Sequence, residues 1–106
     1  MISKESEQVT RSTVKGITAQ TLVHGDLTHM IKFRVKKGTV MPTHAHENEQ
    51  IGYLLEGKMI LTLDKVEHEL KAGDSWAITS NIPHSVTMIE DGVIIDVFSP
   101  LREDYL

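Results

Sequence analysis

The sequence contains no cysteine, which excludes disulfides and thiolate metal ligands and leaves the redox compartment unreadable from composition. Basic residues are few and scattered. Eleven Lys and Arg stand against fifteen Asp and Glu, a net charge of −4 with the histidines neutral, and the one adjacent basic pair, Lys36-Lys37 beside Gly38, reads as a turn. Nucleic-acid binding therefore lacks the basic stripe it needs. No apolar run approaches the ~20 residues of a membrane span. The start, Met1-Ile2-Ser3-Lys4-Glu5-Ser6-Glu7-Gln8, has no apolar core of a secretory signal; a protein free of the membrane, in the cytoplasm, is the expectation.

Alanine is also scarce, with four residues against twenty-nine Val, Ile and Thr. That ratio favours a pleated, half-buried surface over helices, and no stretch of ten or more residues shows a 3.6-residue apolar period. No repeat, low-complexity block or linker interrupts the chain, so residues 1–106 form a single all-β domain that takes a small ligand. Residues 1–11 are polar and expected to be flexible, although Val9 and Val14 could seat a first strand against a neighbouring subunit.

The remaining chain divides into short strands. Residues 17–23 and 28–35 flank Gly25-Asp26 as a hairpin, with Ile31, Phe33 and Val35 on one face and Met30, Lys32 and Arg34 on the other. Strands follow at 50–55, 58–63, 66–70, 75–78, 85–89 and 93–98, punctuated by Glu56-Gly57, Asp64-Lys65, Gly73-Asp74 and Glu90-Asp91-Gly92, and Pro100 stops the last. Trp76, Ile60, Leu61, Leu63, Ile78, Val86 and Ile95 read as structural. Exposed edges in so short a chain predict a homodimer.

The chemistry concentrates in Pro42-Thr43-His44-Ala45-His46-Glu47-Asn48-Glu49-Gln50. In an extended strand alternate side chains share a face, which puts His44, His46 and Gln50 together if no bulge intervenes; Glu49 has the wrong parity, and it or Glu47 could ligate only by a register slip. His84, aimed by Pro83, offers a third imidazole. Neutral imidazoles with an amide oxygen suit one divalent transition metal per chain: zinc, nickel, iron, manganese or copper. His24, His29 and His68 lack such company and read as surface or core histidines.

Residues Gly38 to Gly57, with five residues before His44, one between the histidines, three before Gln50 and six before Gly57, resemble the first cupin motif, and Gly73 to His84 resemble the second. The resemblance implies a double-stranded β-helix, the cupin jelly-roll barrel, with a metal in its mouth. Gln50 stands where many cupins have glutamate, and Thr79 and Met88 replace the usual proline and asparagine. Without a carboxylate ligand the ion keeps its full charge, which favours Lewis-acid work over oxygen activation.

The last strand carries an anomaly: Asp96 shares a face with Ile94 and Phe98, so a carboxylate is buried among apolar groups. Either it forms an ion pair, with Arg102 or Arg34, or it has a proton-transfer role. Asp96, Phe98 and Arg102 match the spacing of a tail found in the KdgF-type uronate-linearising cupins, and the first motif is similar to that group's as well. That resemblance implies Asp96 and Arg102 as catalytic residues, Phe98 and Arg102 as substrate-binding residues, and a small carboxylate-bearing ligand such as an unsaturated uronate. A dioxygenase-type cupin and a non-catalytic binding or sensing barrel are the alternatives.

Overall fold

The β-branched residues fall into ten short strands along the chain, which the computed structural model describes from Met1 to Leu106: β1 (Thr10–Ser12), β2 (Ile17–His24), β3 (His29–Val35), β4 (Val40–His44), β5 (Glu49–Glu56), β6 (Lys58–Leu63), β7 (Val66–Lys71), β8 (Ser75–Ile78), β9 (His84–Met88) and β10 (Gly92–Ser99). They form two antiparallel sheets, one of six strands in the order β1-β2-β3-β10-β5-β8 and one of four in the order β4-β9-β6-β7. This is the all-β jelly-roll barrel that the sequence implied. No helix is long and apolar enough to cross a membrane.

Strict alternation drives the layering. In β3 the inward Ile31, Phe33 and Val35 are buried while Met30 and Arg34 are exposed, and β5 repeats the pattern with Gln50, Gly52 and Leu54 inward. These side chains meet Met59 and Leu61 of β6 and Val86 and Met88 of β9 in one core. Each fully buried aliphatic side chain of this kind stabilises the fold by about 1.5–3 kcal/mol relative to exposure. The chain passes from the first sheet to the second between β5 and β6 at Gly57, whose φ of +98° and close approach to the Asp91 carbonyl leave no room for a Cβ.

Three expectations need adjustment. Ile60 and Ile95 are only partly buried and stand outside the core that holds Leu61, Ile78 and Val86. Trp76 is half-buried; its ring lies over the bare backbone of Gly52, and it lines the barrel cavity. The polar segment 1–11, expected to be flexible, contains a 3-10 turn at Glu5–Glu7 and delivers Thr10 and Arg11 into β1, which pairs with β2 of its own chain. The Gln8 amide donates to the Leu22 carbonyl, and its oxygen accepts from Gln20. Val9 and Val14 remain exposed.

Candidate metal centre

His44 and His46 converge for a different reason from the one strand parity suggests. β4 ends at His44, His46 lies in the loop before β5, and Gln50 belongs to the other sheet. Between the pairs Met41↔Val86 and His44↔His84, β4 advances three residues while β9 moves back two, so one residue bulges at Pro42-Thr43. Proline has no N–H to give the ladder, and β4 is an edge strand, which is where such a bulge is tolerated. The bulge sets His44 directly opposite His84. The loop then returns His46 to both: its backbone carbonyl accepts from Asn81 N at 2.8 Å, and the Ser80 hydroxyl donates to the Glu47 carbonyl.

A ring nitrogen from each of His44, His46 and His84 lies within 4.8 Å of the others. Ring centroids are 4.2 Å apart for His44–His84, 4.9 Å for His46–His84 and 5.5 Å for His44–His46. Each Nδ1 faces a backbone carbonyl: Pro42 at 3.0 Å, Asn48 at 2.9 Å and Ile82 at 2.8 Å for His44, His46 and His84 in turn. A carbonyl only accepts, so each Nδ1 must carry the hydrogen and each neutral ring keeps its lone pair on Nε2. Burial foremost pushes His46 and His84 below the ordinary imidazole value, which favours that neutral form.

His46 Nε2 is buried with no hydrogen-bond partner in the protein. A buried lone pair left unsatisfied costs about 1–3 kcal/mol, and an ion shared by three convergent imidazoles removes that cost at once. The residues present therefore fit a divalent metal. Gln50, buried on β5, donates from Nε2 to Asp96 Oδ1 at 3.4 Å, which leaves its amide oxygen as a fourth donor. Glu47 and Glu49 are exposed.

The cavity beside these rings encloses about 330 Å³ and is lined mainly by apolar groups, with Gln50, Asp96, Phe98 and Arg102 among its walls. Asp96 is buried without a salt bridge. Desolvation raises its carboxyl to about 7, against smaller opposing effects from the Gln50 hydrogen bond and the Arg102 charge. Of the two alternatives for Asp96, the ion pair does not form: Arg34 is exposed on β3 and Arg102 pairs with Asp104 at 3.4 Å. The Arg102 guanidinium instead stacks 5.1 Å from the Phe98 ring centroid and 5.2 Å from that of Tyr105. Phe98 in turn meets the His46 ring edge-on at 6.0 Å.

Sequence reasoning missed the residues that hold the tail in place. Asn48 Nδ2 donates to the carbonyls of Pro100 at 2.7 Å and Leu101 at 3.3 Å, tying the loop that bears His46 to the segment that bears Arg102. Tyr105 joins the cavity lining and packs edge-on against Phe33 at 5.4 Å. A polar residue in an irregular loop has no period to betray it, and these partners lie about half the chain apart.

Residues 31–98 match the cupin domain family. The pectin degradation protein KdgF of Dickeya dadantii is 32% identical over 93 residues, covering 86% of this chain and 84% of that protein. The structure of KdgF from Halomonas sp. superposes with a TM-score of 0.92 at 27% identity, over 100% of this chain and 98% of that one. An RmlC-like cupin from Shewanella frigidimarina superposes with a TM-score of 0.93 at 30% identity, over 99% and 95% of the two chains.

Proposed function

The chain belongs to the cupin domain family, and from that premise we propose that it is a metal-dependent enzyme that opens the ring of a small sugar acid, a 4,5-unsaturated uronate, to a linear keto acid. The observation that carries this reading is the meeting, in one cavity, of an uncharged donor set with a buried carboxylate and an arginine. The similarity to a pectin degradation protein over most of both chains supports the substrate class.

The Nε2 atoms of His44, His46 and His84 and the Gln50 amide oxygen would hold the ion. When bound, a divalent ion in this uncharged donor set supplies Lewis acidity toward substrate oxygens. Arg102 receives the substrate carboxylate, since its planar fork matches two carboxylate oxygens, and stacking on Phe98 and Tyr105 limits the rotamers it must give up. Phe98 forms the wall on which the flat unsaturated ring rests. Asp96, with its carboxyl near 7, is poised to take a proton and return it at neutral pH.

The proton inventory closes on that single group. Asp96 accepts the anomeric hydroxyl proton as the bond from the anomeric carbon to the ring oxygen breaks. That bond's electron pair stays on the ring oxygen, producing an aldehyde and an enolate. The proton then goes to the alkene carbon that does not bear that oxygen, giving the ketone at the carbon that does. A group so placed contributes about 10²–10⁴-fold in rate.

The test is the decay of unsaturated-uronate absorbance with metal-loaded wild type and Asp96→Asn, against the spontaneous rate. Asp96→Asn should lose about 10²-fold or more at unchanged metal content. Full activity in the variant removes Asp96 from the mechanism. No acceleration by wild type on the 4,5-unsaturated uronate, which is one compound whether formed from glucuronate or galacturonate, discards the substrate and leaves a binding barrel. A homodimer is part of the proposal: the outward face of the larger sheet exposes Met30, Ile51 and Tyr53 beside Ala77, Ile95 and Val97, an apolar surface unusual for the solvent side of a sheet.

A further inference from the structure

His29, set aside in the sequence as an ordinary histidine, is fully buried at the start of β3, opposite Phe98 of β10. Its two ring nitrogens reach the two ends of one short segment, Nδ1 directly and Nε2 through Thr21 of β2. Nδ1 accepts from the backbone N–H of Arg102 at 3.2 Å, and Nε2 lies 2.8 Å from Thr21 Oγ1. The Thr21 hydroxyl in turn donates to the Tyr105 carbonyl at 2.8 Å. One proton arrangement satisfies every member. The Arg102 amide can only donate, so Nδ1 is bare, the ring hydrogen sits on Nε2 and points at Thr21 Oγ1, and the hydroxyl hydrogen is free for Tyr105. The ring must be neutral for this, and burial foremost lowers its affinity for a second proton.

The segment so held is the 3-10 turn Glu103–Tyr105 with the residue that precedes it. Tyr105 N donates back to the Arg102 carbonyl at 3.0 Å, so the two anchored residues also close on each other. Arg102 is the only positive side chain lining the cavity. Its guanidinium leans on Phe98, fixed in β10, and on Tyr105, whose backbone is held through this turn and whose ring packs on Phe33. A single 3-10 turn outside both sheets has little stability of its own, and its order comes from such ties.

We propose that His29 and Thr21 are positioning residues, clamping the C-terminal turn across the barrel mouth so that the Arg102 guanidinium faces the cavity. The inference rests on reading Arg102 as the receptor for the substrate carboxylate. Neither His29 nor Thr21 lines the cavity, so both act through Arg102.

The experiment uses the metal-loaded, full-length protein and Thr21→Val, which keeps the branched shape and removes the hydroxyl. Amide exchange at Arg102 and Tyr105, read by NMR, should quicken by about tenfold or more as the clamp opens. KM for the unsaturated uronate should rise about tenfold with kcat within about threefold and metal content unchanged. Thr21→Ser should restore both readings. Arg102→Lys combined with Thr21→Val should be no worse than Arg102→Lys alone, because the second change has nothing left to aim. Unchanged exchange in Thr21→Val, or losses in the double variant that multiply, overturns the proposal. If wild type fails to turn over the uronate, the functional reading falls, and the exchange measurement alone still decides whether the clamp exists.

Discussion

Replacing Asp96 by Asn should make the metal-free protein more stable at neutral pH, although it removes a residue placed at the centre of the site. The side chain is 6% exposed and has no ion-pair partner, and its carboxyl is raised from 3.8 to about 7, first by desolvation. A carboxyl raised on folding favours the folded state while it is protonated. That contribution is fully present below the unfolded value of 3.8 and is lost as pH rises through about 7. Roughly three pKa units at about 1.4 kcal/mol each make the loss on the order of 4 kcal/mol. Asparagine keeps the shape and never ionises, so it does not suffer this loss. His29, His46 and His84 act in the opposite sense: burial lowers them, so their share of stability holds above the ordinary value of 6.5 and is lost as pH falls through their folded values. The substitution leaves those rings in place, and their share largely cancels in the difference between wild type and variant. Urea denaturation followed by Trp76 fluorescence, with chelator present, measures that difference between about pH 5 and about pH 8. The variant should gain about 2–3 kcal/mol on wild type across that window, the part of the loss that falls between about pH 5 and about 7. A difference that stays flat with pH would refute the claim that the buried carboxyl carries its proton in the folded state.

Chelation should lower the melting temperature of wild type and leave His46→Ala nearly unaffected, since an ion at 100 times its dissociation constant stabilises the native state by about 2.7 kcal/mol; thermal shift with elemental analysis checks this. Because His46 and His84 lie below the ordinary imidazole value, metal occupancy should persist as pH falls past 6.5 and drop only when those rings take a proton. For the outward face, Ile51→Glu changes a 54%-exposed side chain and should leave the monomer's stability within about 0.5 kcal/mol while dissociating a dimer. Light scattering that finds wild type monomeric sinks that interface.

The strands and their faces were legible because burial follows period two: Ile31, Phe33 and Val35, or Gln50 and Leu54, fall inward as their alternation predicts. The histidines that converge, His44, His46 and His84, were picked out by type and spacing, but the geometric reason first attached to them fails. The bulge at Pro42-Thr43 and the loop at residues 45–48, not one strand face, bring His44 and His46 together. Asp96 stood out because a carboxylate among apolar neighbours breaks a local pattern. The absence of an arginine partner could not be read, since ion pairing depends on where a non-local side chain ends up. His29, Thr21 and Asn48 were invisible for the same reason. His29 and Arg102 are separated by 73 positions and meet only after β10 is laid beside β3.

The two ends of the barrel are fastened unequally. At one end, where Val35 and Glu56 meet the start of β10, the chain itself crosses between the sheets four times, from β3 to β4, β5 to β6, β7 to β8 and β9 to β10. At the other, the candidate donors come from both layers: His44 and His84 from the smaller sheet, Gln50 from the larger, and His46 from the loop between them. The chain crosses there only twice, at residues 45–48 and 79–83, so an ion would add a latch at the end with fewer covalent ties. Taking it away should let the layers part at the mouth while the opposite end stays shut, so that hydrogen exchange in chelated protein rises first at residues 44–50 and 80–84 and last around Gly57.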